Sequence, residues 1–499
     1  MLWMRNIGSA GVFQSLAIVL AALSVVALAA GCAKQTPAVR PADAPPEPFL
    51  QDPVYFQAAN ERALRATLRS NPQDPAAYTA LANWLMGRRG HGVEVINLAR
   101  RAVALDQGNA SRWLLLAKAC GRAGRFSKAI EAATRSLELE PGVADVYALR
   151  GRVRGRMNDF DGALEDYRAA AALKPGVPEH SRMVGETLRQ KGDVDGAIVV
   201  FNEILQSHPD YAAGYAARAG SLRRAGRLNE ARSDLEQACG IEPQNAVFWN
   251  RLGEVFMDLG KLVEAESACS RAMKLQPGFA FYVRDRGMVR LKLGDLEGAF
   301  ADLDKAVELD PRNGFTVSSR GRAKRDTGDF AGAIDDLTTA IRLEPHSAYL
   351  WRQLASVRFA AGAFRDALPD LARAMQLATE EQPYDHFWNR VYHLRIGESA
   401  DRDAIEAIAR TSEDPWVRAL ASFLNGEIDE ARLFAIAADA SGRKKEEQQC
   451  EAWCYAALMR IARGEPGARE LFEKCVALEV TDFFEHTFAK GELARMDRP

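Results

Sequence analysis

Residues 280–313 read AFYVRDRGMVRLKLGDLEGAFADLDKAVELDPRN, residues 314–347 read GFTVSSRGRAKRDTGDFAGAIDDLTTAIRLEPHS, and the two align over 34 positions without a gap. The same frame holds from residue 110 to 378. Alanine recurs at 129, 163, 197, 231, 265, 299, 333 and 367, and proline at 141, 175, 209, 243, 277, 311 and 345. Small residues recur at Ala117, Gly151, Gly185, Ala219, Gly253, Gly287, Gly321 and Ala355. A period of this length without insertions is the signature of stacked helical hairpins.

Counting each repeat from the frame that starts at Ala110, the small residue at position 8 falls on a first helix, and the alanine at 20 with the mostly alanine position 27 falls on a second. Two helices approach closely only where side chains are short. Position 15 holds Gly124, Asn158, Gly192, Gly226, Gly260, Gly294, Gly328 and Gly362, residues that tolerate the positive φ that ends a helix. The proline at position 32 ends the second helix. Large apolar residues fill the space the small ones leave: Trp113, Tyr147, Tyr215, Trp249 and Trp351 at position 4, with Tyr167, Phe201, Leu235, Leu303 and Leu337 at position 24. No hairpin buries its face alone, so neighbours must cover each other.

This pattern resembles the tetratricopeptide repeat, with its small residues at 8, 20 and 27 and proline at 32. The resemblance implies an all-α, right-handed superhelical solenoid. Eight regular repeats fill 110–378, and a looser copy with one extra residue lies at 76–109 (Tyr78, Leu81, Ala82, Ala102). A lone helix at 54–70 is expected to cap that end, so 53–109 reads as a cap and an irregular first repeat. Beyond 379 the period weakens into a segment of degenerate repeats and a C-terminal cap. Gly426, Ala431 and Ala438 mark one weak copy there, and Tyr455, Ala456, Gly464, Ala468, Phe472 and Cys475 another.

The first residues carry a different signal. Arg5 precedes an apolar run from Val12 to Ala30 that ends in Leu28-Ala29-Ala30-Gly31-Cys32, the layout of a secretory signal. The cysteine after the cut resembles the lipobox of bacterial lipoproteins, which implies removal of residues 1–31 and lipidation of Cys32. An uncleaved spanning helix is the alternative, but it has no need of Ala-Ala-Gly-Cys at its boundary. Ala33 in place of Asp resembles the signal for export to the outer membrane, so the expected location is extracytoplasmic, lipid-anchored and facing the periplasm. Residues 32–52 then form a proline-rich tether.

No catalytic constellation is legible. The seven histidines are scattered, and no phosphate loop or catalytic Ser or Cys setting occurs. No cofactor or resident metal is implied; Cys450, Cys454 and His486 match no tight ligand spacing. A disulfide from Cys450 or Cys454 to Cys475 is compatible with export, whereas Cys120, Cys239 and Cys269 read as small buried apolar residues. A formal charge of −2 over 499 residues argues against wholesale nucleic-acid binding.

The C-terminal third has its own resemblance. Asp414-Pro415-Trp416, Leu424-Asn425-Gly426, the run from Gln449 to Tyr455, Ala468, Phe472, Phe484-Glu485 and Gly491-Glu492-Leu493 look like the tail of NlpI-type lipoproteins. That resemblance implies an adaptor that brings envelope enzymes together. Two rival readings stand beside it: a pilus- or secretin-assembly lipoprotein, and an enzyme with its site in 380–499.

Two patterns concern side chains. Position 7 is arginine in four repeats (Arg150, Arg218, Arg286, Arg320), and all four have aspartate at 23 (Asp166, Asp234, Asp302, Asp336); of the four with Leu or Val at 7, only one has it, Asp370. An ion pair inside each such hairpin is expected. The resemblance also implies a concave wall lined by positions 2, 5, 9, 12 and 13 of the first helices. Those positions hold thirteen basic residues, Lys118, Arg122, Arg152, Arg156, Arg182, Arg189, Arg223, Arg224, Arg284, Lys292, Arg322, Arg325 and Arg352, against six acidic ones, Asp145, Glu179, Glu186, Glu254, Asp258 and Asp326. Later repeats add Val247, Met257, Phe281, Met288, Leu291, Phe315, Tyr349 and Phe359. Such a wall is expected to bind an extended protein segment with an acidic part and apolar anchors.

Overall fold

A computed structural model describes residues 53–88, 90–379, 382–398, 402–478, 480 and 484–497. The signal segment, Cys32 and the tether lie outside the described residues. Among the described residues the chain forms 26 helices and no strand. None of these helices is long and apolar enough to cross a membrane. The chain divides into two compact units, residues up to 141 and residues 142–499.

In the first unit, Pro53–Ser70 precedes the helix pairs Pro75–Leu85 with Gly92–Leu105 and Ala110–Arg122 with Phe126–Leu139. In the second, seven further pairs run from Ala144–Arg156 with Phe160–Leu173 to Ala348–Ala360 with Phe364–Leu377. Each first helix of a regular repeat stops where the sequence predicts. All eight residues at position 15 have positive φ, from 61° at Asn158 to 99° at Gly192, and Asn158 is the only described non-glycine residue in that region.

The crossing inside each hairpin is as close as the small residues allow. A Cβ added at Gly185 would lie 2.6 Å from ring carbons of Phe201, a fully buried side chain. The large residue at 24 therefore occupies the volume that glycine at 8 vacates. Aspartates cap the second helices wherever the sequence offers them at position 16. Asp159, Asp193, Asp295 and Asp329 accept from the amides of Gly162, Gly196, Gly298 and Gly332 at 2.9–3.0 Å. The tryptophans at position 4 do more than fill space. Trp249 Nε1 donates to the Pro243 carbonyl at 3.0 Å and Trp351 Nε1 to the Pro345 carbonyl at 3.1 Å, tying each first helix to the turn before it.

Seven helices from Pro383–Arg395 to Phe484–Met496 complete the second unit. Their core is aromatic: Phe359 of the last regular repeat stacks on Tyr392 at 4.0 Å and on Phe488 at 5.2 Å, with Trp388 and Tyr455 alongside. The weak copy at 455–475 has its expected buried positions in Tyr455, Ala456, Phe472 and Cys475. The copy near 430 does not. Ala431 and Ala438 are exposed, and Leu433 and Ala437 take the buried places because the helix is only Glu430–Asp439 and faces its neighbours in a shifted register.

This core also buries carboxyl groups that meet no cation among the described residues. Glu451 accepts from Trp416 Nε1 at 2.6 Å and Tyr384 Oη at 3.0 Å, yet burial pushes it up to about 7. Glu485 is pushed up to about 8 by burial and by the nearby Glu451 charge. A carboxyl raised in the folded state holds a proton that the unfolded chain has already lost, so stability falls as pH rises from the ordinary 4.5 towards 8. Glu485→Gln removes its share of that slope. The melting temperature of the variant relative to wild type is expected to rise steadily between about pH 5 and about pH 9; a difference independent of pH would contradict this account of the core.

Candidate functional site

The expected intra-repeat pairs form in all four repeats. Arg150 meets Asp166 at 2.7 Å, Arg218 meets Asp234 at 2.6 Å, Arg286 meets Asp302 at 2.6 Å and Arg320 meets Asp336 at 2.7 Å. A second cation, four residues further along the first helix, was not foreseen. Arg154, Arg290 and Lys324 reach the same carboxylates at 3.0, 3.1 and 2.9 Å. In the repeat with Leu354 at position 7, Arg358 alone pairs with Asp370 at 2.6 Å. Burial of Asp370 pushes its carboxyl up to about 6 despite this partner. The signal was in the sequence: position 11 is cationic only in repeats with aspartate at 23.

The first helices of successive repeats in the second unit lie side by side, and side chains bond across them. Arg223 pairs with Glu254 and Asp258 of the next repeat. Arg325 pairs with Asp326 at 2.7 Å and donates to Gln353 of the next repeat at 3.0 Å. Arg352 pairs with Asp385 at 2.6 Å, and Arg182 pairs with Glu179 and Glu186 on its own helix. The remaining wall acid, Asp145, takes Lys174 at 3.3 Å.

The wall is thus neutralised in part, and its excess of cations persists. Five of its thirteen basic residues (Arg182, Arg223, Arg284, Arg325, Arg352) hold carboxylates, and all six acids are paired. Among the described residues no ion pair is formed by Arg152, Arg156, Arg189, Arg224, Lys292 or Arg322 in the second unit, nor by Lys118 or Arg122 in the first, where Arg122 donates to the Met86 carbonyl. Arg152, Arg156 and Arg224 are exposed; Arg224 also donates to the Arg189 carbonyl at 3.4 Å.

The apolar part sorts in the same way. Val247, Phe281, Phe315 and Tyr349 occupy position 2 of four successive repeats and stay 43, 41, 51 and 42% exposed. Between two of these rungs, the buried Arg284 guanidinium lies 4.2 Å from the centroid of the Phe281 ring and 4.5 Å from that of Phe315, while donating to Asp285 at 3.0 Å. Phe359 is a correction. It is fully buried against Tyr392, Phe488 and Phe364 and offers no surface, because the first helix of the last regular repeat is covered by the C-terminal helices. Met288 is buried as well, and Met257 and Leu291 are half-buried.

Sequence profiles of the tetratricopeptide repeat match residues 148–212 and 319–386, 222–282, and 285–313. These repeats are tetratricopeptide repeats. Folds built from them serve as protein-interaction scaffolds. No curated protein matches the chain. Among solved structures, a tetratricopeptide repeat protein from Parabacteroides merdae is 14% identical over 50% of this chain and 98% of its own, with a TM-score of 0.43. The APC/C hetero-tetramer Cut9-Hcn1 is 16% identical over 75% of this chain and 89% of its own, with a TM-score of 0.40. PilW, a type IV pilus biogenesis factor, is 17% identical over 40% of this chain and 94% of its own, with a TM-score of 0.37.

Proposed function

We propose that this protein is an extracytoplasmic scaffold, anchored through lipid on Cys32, whose tetratricopeptide wall over 142–378 holds an extended segment of a client protein. The observation that carries the binding reading is the ladder Val247, Phe281, Phe315 and Tyr349, four large apolar side chains left in solvent at one position of consecutive repeats. A solvated helix face has no reason to repeat such residues. Beside it, in the earlier repeats, Arg152, Arg156 and Arg224 stand exposed without a carboxylate partner among the described residues.

Two distances define the ligand. Adjacent packed helices lie about 8–10 Å apart, and an extended or polyproline-type chain advances about 3.1–3.4 Å per residue. A client therefore brings an apolar residue to each rung by placing one at every third position. Its acidic part meets the unpaired cations, which speed encounter while the anchors supply affinity. The lipobox-like Leu28 to Cys32 supports the anchor, and the resemblance of the tail to NlpI-type lipoproteins supports clients of the envelope, including cell-wall hydrolases. On this reading the protein binds and does not catalyse.

A fluorescent peptide with four aspartates followed by leucine at every third residue, made in both chain directions, is the probe. Phe281→Ala with Phe315→Ala is expected to weaken its binding by tenfold or more at any salt. Charge reversal at Arg156 and Arg224 is expected to weaken it at low salt only. Binding unchanged in both variants, with helicity intact, would remove the wall from the function.

The anchor has a separate test. Wild type expressed from its own start in a bacterium is expected to yield a mature chain that begins at lipidated Cys32 and partitions into detergent, and Cys32→Ser a larger precursor. One and the same unlipidated mass for both would rule the anchor out.

A further inference from the structure

The last hairpin of the second unit joins Gly442–Arg463 to Ala468–Ala477 through a turn with Gly464 and Gly467 at φ 69° and 86°. Three cysteines face its interior. Cys450 and Cys454 are one turn apart on the longer helix, Cys475 is on the shorter, and all three have no exposed surface. The three differ in reach: Cys450 Sγ lies 2.7 Å from Cys475 Sγ and also faces the Cys475 carbonyl, whereas Cys454 has no such neighbour among the described residues. Two non-bonded sulfurs do not settle at that separation, because their van der Waals spheres overlap deeply. Among the described residues no group of three His, Cys, Asp or Glu side chains is arranged to hold a metal ion. His486, the other candidate ligand, turns Nε2 towards the Val476 carbonyl at 3.3 Å.

We propose that Cys450 and Cys475 are a modification site, joined as a disulfide that staples the two helices of this hairpin, with Cys454 remaining a thiol. The oxidant is a small-molecule or protein disulfide such as oxidised glutathione. One cysteine thiolate attacks a sulfur of oxidised glutathione, forms a mixed disulfide and expels one glutathione thiolate. The other cysteine thiolate attacks the protein sulfur of that mixed disulfide and expels the second. The new S–S bond replaces the one consumed, the two protein sulfurs are oxidised, and the two protons pass to the two glutathione thiols. Both protein sulfurs are sealed from solvent once the helices pack, so the bond forms as the hairpin folds and resists reduction afterwards. This step makes no use of the binding wall.

Cell-free synthesis of the full chain with oxidised glutathione and a disulfide isomerase tests the bridge without depending on export. Thiols are blocked under denaturing conditions before digestion, and the peptides are mapped by mass spectrometry. The expected result is a reducible peptide pair joining Cys450 to Cys475, with Cys120, Cys239, Cys269 and Cys454 blocked as thiols. Cys454→Ser is expected to leave the pair intact, and Cys450→Ser to leave Cys475 blocked as a thiol. Full blocking of Cys450 and Cys475 in the wild type, or a bridge through Cys454, would overturn the proposal. The wild-type map decides even if a variant fails to fold.

Discussion

The rest of this structure depends on a carboxylate buried where two helices cross. In five repeats an aspartate at position 23 lies within the hairpin, 2–5% exposed, and in three of them its Cβ packs against the glycine at position 8. Burying such a charge costs several kcal/mol unless a cation answers it. Arginine at 7 and a cation at 11, one helical turn apart, both close on it in three of these repeats, while Arg218 at 7 alone answers Asp234 and Arg358 at 11 alone answers Asp370. The small residue makes the approach possible, and the pair makes it tolerable. In these five repeats the two together fix which face of the first helix turns away from its partner.

That constraint decides what is left for binding. Once positions 7, 8 and 11 face the second helix, positions 2, 5, 9, 12 and 13 face outward, where neighbouring repeats compete for their charges. Arg223, Arg325 and Arg352 are taken up by contacts to the next helix along. Arg284 is held between Phe281 and Phe315 and gives the ladder a rigid floor. The wall available to a client is therefore less basic than its residue count and more ordered.

Most of the hairpin was legible because its determinants are local and repeated. Position 15 demanded positive φ, and only glycine and Asn158 appear there. The Arg–Asp pairs were legible because the two positions vary together within one chain. The cations at 11 carried the same covariation and were overlooked. The neutralisation of the wall was legible only where it is local, at Arg182 with Glu179 and Glu186 and at Arg284 and Arg325 with the aspartates that follow them; Arg223 and Arg352 reach carboxylates 31–35 residues away, which no periodicity announces. Phe359 was misplaced for a related reason: what covers it comes from Tyr392 and Phe488, beyond the periodic region. The burial of Glu451 and Glu485 likewise follows from an aperiodic core.

The most direct test is a double-mutant cycle on Arg286→Ala and Asp302→Ala, read by denaturant unfolding of the full chain. If the paired carboxylate organises the hairpin, each single variant loses stability and the two losses fall short of additive by about 1–2 kcal/mol. Arg290 remains beside Asp302 in the first variant, so the loss from Asp302→Ala exceeds that from Arg286→Ala only where this second cation was held by the same carboxylate. Losses that add to within about 0.3 kcal/mol would contradict the account and leave the crossing to packing alone.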